Sequence, residues 1–588
     1  MKSLSLFLNF TLISVALAQQ PQAQPPAQPA SSEQSAKPAT LEGRILNAKT
    51  GEPVRKANVT LRRSGVSGAG GGTIGSISAS GPPAAPYAAT TDAQGKFHIN
   101  NVEPATYHLT VERQGFVRQE YGSRNRSRMG TPITLNPGQE MNAIELKLTP
   151  QAVITGRVLD EDGDPLSRVT IQVLRRRFMA GKQQLMPTGG NQTNDNGEFR
   201  ISDLPPGRYF LSASYHRMMF NGEAPARHAA GTPEEEYVTT YYPGTTDQTG
   251  AGPLDLQAGQ ELPGVDIRMK KAPVYRIRGK IVAAPGQSVR NLRLIVMPRT
   301  ASPAMSAFMG GSNALMKEDG SFETGGVQSG SYQLAIAPMQ GMQTVMGKTP
   351  VEVGKGDVEG ITVALGSGVN LTGSIRIDAP SDELDQFQSQ GGKLTFETVR
   401  VQLAPADGIA FNTPRSTTKD DGTFSIDNVS QDRYRINAVN LPSGTWLKSI
   451  RAGDQEVQDT GLDLNSGNVG PIQITLGLGG SQIDGVVQDA QQHPASGSMV
   501  TLIRDPVIAE RFDLNRLTTT DQNGRFSLKG IPPGEYKVYA WEDIEPGAYT
   551  DPEFLKPHEG KATKLSLKNK GQEQVSLVQI PAEASEPK

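Results

Sequence analysis

The chain has 588 residues, too many for one hydrophobic core, so it must divide into several domains. A formal net charge of −2 leaves no basic field for nucleic acid, and the absence of Cys excludes disulfides, thiolate metal sites and cysteine nucleophiles. Gly (64) and Pro (42) are abundant, as a turn-rich β chain requires.

In chain order, Lys2, the apolar run from Leu4 to Leu17 and the small-x-small triplet Ala16-Leu17-Ala18 form a secretory signal over residues 1–18. No later run approaches the ~18–20 apolar residues of a membrane helix, so no membrane span is expected. The mature protein is expected to be secreted or periplasmic, or held at the cell surface. Residues 19–40 are Pro/Gln/Ala/Ser-rich and read as an extended linker.

A motif then recurs five times. Gly95, Gly197, Gly320, Gly422 and Gly524 each stand two residues before Phe97, Phe199, Phe322, Phe424 and Phe526. Tyr107, Tyr209, Tyr332, Tyr434 and Tyr536 each stand ten residues after the Phe. Polar turn residues precede each Gly, which supplies φ > 0. In four copies Gly-x-Phe-x-Ile/Leu then alternates with period two, which puts Phe and its i+2 neighbour on a buried face. The Tyr reads as a corner residue, ring buried and hydroxyl on backbone. The Gly two residues before Tyr is replaced by Ala105 in the first copy and Asp432 in the fourth, so those turns need another geometry.

The Phe anchors are 102, 123, 102 and 102 residues apart, a spacing that fits one small β-sandwich per copy. The expected fold is all-β, with five tandem transthyretin-like sandwiches at 41–150, 151–273, 274–367, 368–479 and 480–588. The first holds a Gly/Ser-rich loop (64–83) and a loop with five Arg between Arg113 and Arg128, read as solvated. The second opens on an acidic turn, Asp160 to Asp164, that lacks the ligand spacing of a calcium loop. The third is Met-rich (Met297, Met305, Met309, Met316, Met339, Met342, Met346). Thioethers are soft copper ligands, but with no neighbouring His or Cys a core-filling role is the simpler reading. The fourth carries one helical turn, Asp382 to Gln390.

The opening Gly-x-Ile/Val strand, the Gly-x-Pro turn and the Gly-x-Phe segment resemble the carboxypeptidase regulatory-like domain family. The resemblance is clearest at Gly43-Arg44-Ile45 with Gly51-Glu52-Pro53-Val54, at Gly156-Arg157-Val158 with Gly163-Asp164-Pro165-Leu166, and in the fifth copy. It implies transthyretin-like sandwiches, grouped with carbohydrate-binding-like folds and usually non-catalytic. A fold does not fix a function, so the site has to be argued from residues.

No catalytic constellation emerges. The six His (His98, His108, His216, His228, His493, His558) do not make a zinc-peptidase pattern, and no nucleophile elbow, P-loop or dinucleotide fingerprint is present. His98 and His108 are expected to point outward on neighbouring strands. No cofactor or metal is called for, and carboxypeptidase activity stays a remote alternative. The candidate ligand-binding residues are aromatics: Tyr237, Tyr241 and Tyr242 in a long loop segment, and Trp541, on one strand face with Tyr539 while Val538 takes the other, as if both faces are partly covered; the alternative for each is packing between repeats or under loops. Flat rings suit sugar faces, so the expected function is carbohydrate binding in the cell envelope. The alternative is a structural spacer or protein-interaction array. The partner is accordingly a polysaccharide or an envelope protein.

Overall fold

The computed structural model describes residues 37–64, 87–123, 130–179, 182–215, 234–283, 288–299, 312–324, 326–338, 347–366, 368–389, 392–406, 413–442, 444–465, 469–507 and 514–582. The signal segment, the linker to residue 36, residues 65–83 of the Gly/Ser loop, residues 124–129 of the Arg loop and Met305, Met309, Met339, Met342 and Met346 lie outside them. Strands dominate, and the α-helices among the described residues are Ser381–Ser389 and the single turn Pro552–Leu555.

Five large buried clusters follow one another along the chain, from Ala39 to Leu148, Ala152 to Met269, Ile277 to Leu365, Leu371 to Leu476 and Ile483 to Leu577. Each is built the same way. The opening strand pairs antiparallel with the Gly-x-Phe strand and parallel with the closing strand: Gly43 faces Phe97 and Ile144, Gly279 faces Phe322 and Ile361, Gly373 faces Phe424 and Ile472, and Gly485 faces Phe526 and Val575. In the second block Gly156 faces Phe199, and the closing segment joins at Val158–Ile267. The Phe ring lies over the opposing Gly, where a Cβ would collide with both the ring and a main-chain oxygen of the closing segment. The opening Gly is therefore a packing requirement.

The hairpin Gly residues, Gly95, Gly197, Gly320, Gly422 and Gly524, all have φ between 70° and 82°. The carboxylate or amide ahead of them closes the turn, as where Asp92 Oδ1 accepts from the amides of Gln94 and Lys96. The corner Tyr hydroxyl donates to the carbonyl four residues back in four copies: Tyr107 to Glu103, Tyr209 to Pro205, Tyr434 to Ser430 and Tyr536 to Pro532. Burying each such ring contributes about 1.5–3 kcal/mol, and the bonded hydroxyl avoids the cost of a buried unpaired group. Where Gly is absent ahead of the Tyr, Asp432 takes an ordinary backbone conformation and its carboxylate meets Lys348 Nζ of the third block at 2.7 Å.

A second sheet covers the first in four blocks. In the first it runs Tyr87–Thr90, Asn58–Arg63, Ala105–Glu112, Gln119–Glu120, and in the fifth Arg516–Thr519, Met499–Arg504, Gly534–Trp541, Thr563–Leu567. The third block differs. Its strand Ser312–Met316 bonds both Leu292–Pro298 and Ser321–Thr324, joining the two layers into one seven-stranded sheet.

The fifth block also reaches back to the first two. Gln522 exchanges hydrogen bonds with the backbone of Thr134 at 3.3 and 3.4 Å, and Phe178 of the second block meets Phe554 edge-on at 6.1 Å. The fifth block thus touches the first and the second, which are distant from it in sequence.

Candidate functional site

Of the four candidate aromatics, two are buried. Trp541 is 2% exposed. Its ring stacks on Tyr539 at 5.4 Å, meets His558 edge-on at 5.1 Å, and its Nε1 donates to Thr501 Oγ1 at 2.9 Å. The alternation that puts Tyr539 and Trp541 on one face holds, but that face is roofed by the helical segments Ala548–Thr550, Pro552–Leu555 and Lys556–Lys561. Tyr241 is 6% exposed because its segment is no loop: Thr240–Tyr241 pairs with Ala213 and Ser212, which tucks the ring against Leu174, Leu185 and Phe210. Burial pushes its hydroxyl pKa up, and the Asp247 carboxylate adds to that.

Tyr237 and Tyr242 are half-buried against the second core. Lys271 Nζ sits 5.1 Å from the Tyr237 ring centre and Tyr215 lies edge-on at 5.7 Å, so that ring is already engaged. The tyrosines therefore do not make one stacking platform.

Tyr241 instead lines a cleft of about 860 Å³ between the second and third blocks. The second block supplies Tyr241, Asp247 and Thr249; the third supplies Gln328 and Lys355; Tyr275, at the junction, faces in as well. Asp247 caps a 3₁₀ turn by accepting from the amide of Thr249 at 2.9 Å, and that bond holds its carboxyl below the usual range. Tyr275 is fixed by paired backbone bonds with Val327 at 2.8 Å, which also place Gln328. The cleft thus offers the half-buried Tyr275, a small exposed part of Tyr241, one anion, one cation and a set of amides and hydroxyls. That mixture orients a polar ligand with an apolar face.

Sequence reading missed Tyr275, Asp247 and Lys355. Each sits in an ordinary turn or strand, and only the joint between blocks brings them together.

The metal readings gain no geometry. His98 and His108 lie in different sheets: His98 Nδ1 is 2.6 Å from Glu42, and burial lowers the pKa of His108. Asp160 Oδ1 accepts from the amides of Asp162 and Asp164, which closes the acidic turn internally. Met297 is buried beside Ala335. Among the described residues no three His, Asp or Glu side chains gather as a metal-ion group, and no helix is long and apolar enough to cross a membrane.

Residues 40–149 and 153–219 match the model of the carboxypeptidase regulatory-like domain. The match takes in the first block and the opening part of the second. Serine-aspartate repeat-containing protein D of Staphylococcus aureus is 24% identical over 254 residues, covering 38% of this chain and 18% of that protein. This chain therefore spans less than a fifth of the curated relative it matches. Among solved structures, the minor pilin GBS52 of Streptococcus agalactiae aligns at 14% identity over 40% of this chain and 97% of its own, with a TM-score of 0.21. Two B repeat units of the collagen binding protein of Staphylococcus aureus align at 10% identity over 75% and 100%, with a TM-score of 0.13. Similarities this low say nothing about ligand or partner.

Proposed function

We propose that the protein is an exported, non-catalytic binding protein of the cell envelope, made of five sandwiches that meet near residues 150, 273, 367 and 479, and that the cleft between the second and third takes carbohydrate. The observation that carries this reading is the cleft itself. The half-buried Tyr275 lines it beside the largely covered Tyr241, and its polar groups (Asp247, Thr249, Gln328, Lys355) suit hydroxyls presented around a sugar ring. Each polar group can donate or accept, and none forms a paired-carboxylate or nucleophile–base arrangement, so the chemistry on offer is recognition.

The test is titration of the chain from residue 19 onward with maltohexaose, cellohexaose and chitohexaose, backed by a polysaccharide panel. Saturable binding that falls in Tyr275→Ala and Lys355→Ala is expected. Binding that ignores both changes would move the site elsewhere, and no binding on the whole panel would remove the carbohydrate reading.

A second reading, a protein-docking array, is favoured by one observation. The closing strand Gln572–Val578 is an edge of its sheet among the described strands, and Val578 is 67% exposed on it. Such an edge can accept a partner strand.

A further inference from the structure

Arg276 stands where the second sandwich hands over to the third, and its side chain is 9% exposed. Nε and Nη2 donate to Glu234 Oε2 at 3.1 and 2.7 Å, and Nη1 donates to Glu323 Oε1 at 2.7 Å. Its backbone amide donates to Asp357 Oδ1 at 2.9 Å.

Each partner belongs to a different segment around the cleft. Glu234 opens the strand Glu234–Val238, which pairs with Lys270–Val274 and so carries the chain into Tyr275. Glu323 lies on Ser321–Thr324, just ahead of Val327 and Gln328. Asp357 ends the loop that holds Lys355. A planar guanidinium can hold two carboxylates in fixed directions at once, which a flexible ammonium cannot.

We propose that Arg276 is a positioning residue: a clamp that fixes the angle between the second and third sandwiches and thereby the width of the cleft. The proposal rests on the cleft being the binding site for its functional consequence, but the clamp itself can be tested without ligand. With the clamp closed, the two walls stand at a set separation and a ligand pays no ordering cost on entry. With it open, the binding-competent spacing is one of many, and apparent affinity falls by the fraction of chains that have it.

The absence of Cys makes the measurement clean. Spin labels on Gln257→Cys and Lys317→Cys, exposed positions on either side of the joint, report the inter-sandwich distance in the full chain. A narrow distance distribution is expected for the parent, a broad one for Arg276→Gln and for Glu234→Ala, and an intermediate one for Arg276→Lys. Hexasaccharide affinity should fall about 10-fold in the broad variants, within the usual range of coupling between sites. If Arg276→Gln does not fold, Glu234→Ala decides alone. Distributions equally narrow in parent and variants, or equally broad in both, would overturn the clamp. Broadening with no saccharide binding in any protein would keep the clamp and remove the carbohydrate reading.

Discussion

Two aromatic groupings lie on the same chain and do opposite things. Around Trp541, aromatic meets aromatic: Tyr539 stacks, Phe554 and His558 close in, and Phe178 arrives from the second sandwich. The one indole donor is already used by Thr501. The cleft between the second and third blocks is lined instead by an ionised Asp247, Lys355, amides and hydroxyls beside the half-buried Tyr275 and the small exposed part of Tyr241, with about 860 Å³ of space. The first grouping has spent its contacts on holding the fifth sandwich together and against the second. The second has polar groups facing open volume. An aromatic residue is a binding candidate only when something unfilled lies beside it.

The sharpest way to break this comparison is Trp541→Ala. Loss of so large a buried ring should destabilise the fifth sandwich by about 3–5 kcal/mol, read as a lowered urea midpoint for that unit. Saccharide binding by the folded protein should not change. Weakened binding with an unchanged midpoint would mean that the buried cluster, not the cleft, meets ligand.

Tyr275→Ala should do the reverse. We expect at least a ~10-fold loss of affinity, about 1.4 kcal/mol, by isothermal titration. Tyr275 is only half-buried and its backbone bonds to Val327 survive the change, so the midpoint should move less than for Trp541. If stability falls as far as for Trp541 while binding holds, Tyr275 belongs with the structural aromatics.

How far these roles can be read from sequence follows from range. The Gly-x-Phe and corner Tyr of each sandwich are local signals with period two, and they predicted the opening, hairpin and closing strands that the structure shows. The pairing of Gly43 with Phe97 or of Gly485 with Phe526 needs only one sandwich to explain it. For Trp541 and Tyr241 the sequence leaves surface binding and packing both open, because what covers them is distant or irregular. The roof over Trp541 is a run of short helical turns with no apolar periodicity, and Tyr241 is covered by Leu174, Leu185 and Phe210 from earlier strands. Arg276 was equally hidden. Strand alternation from Ile277 turns it away from the core and so toward solvent, yet the joint buries it between Glu234 and Glu323.

A smaller effect sharpens the contrast between the two groupings. Tyr237 lies near the cleft in sequence but does not line it, and Lys271 and Tyr215 already occupy its ring. Tyr237→Ala should leave saccharide affinity within about 2-fold, ~0.4 kcal/mol. A loss as large as that of Tyr275→Ala would extend the site around the edge of the second sandwich.

The smallest effect expected is on acidity. Burial alone would raise the pKa of Glu323, but hydrogen bonds and charge from Arg276 and Arg278 outweigh it and hold the carboxyl below its ordinary 4.5. A carboxylate held low contributes its stabilisation at all pH above the unfolded value and loses it as pH falls through the folded one. The joint should therefore keep the same distance distribution from pH 7 to 5, and broaden only once the pH falls past the ordinary carboxylate value and through the lowered one of folded Glu323. Broadening already complete at pH 5 would show that a group other than Glu323 sets the angle of the cleft.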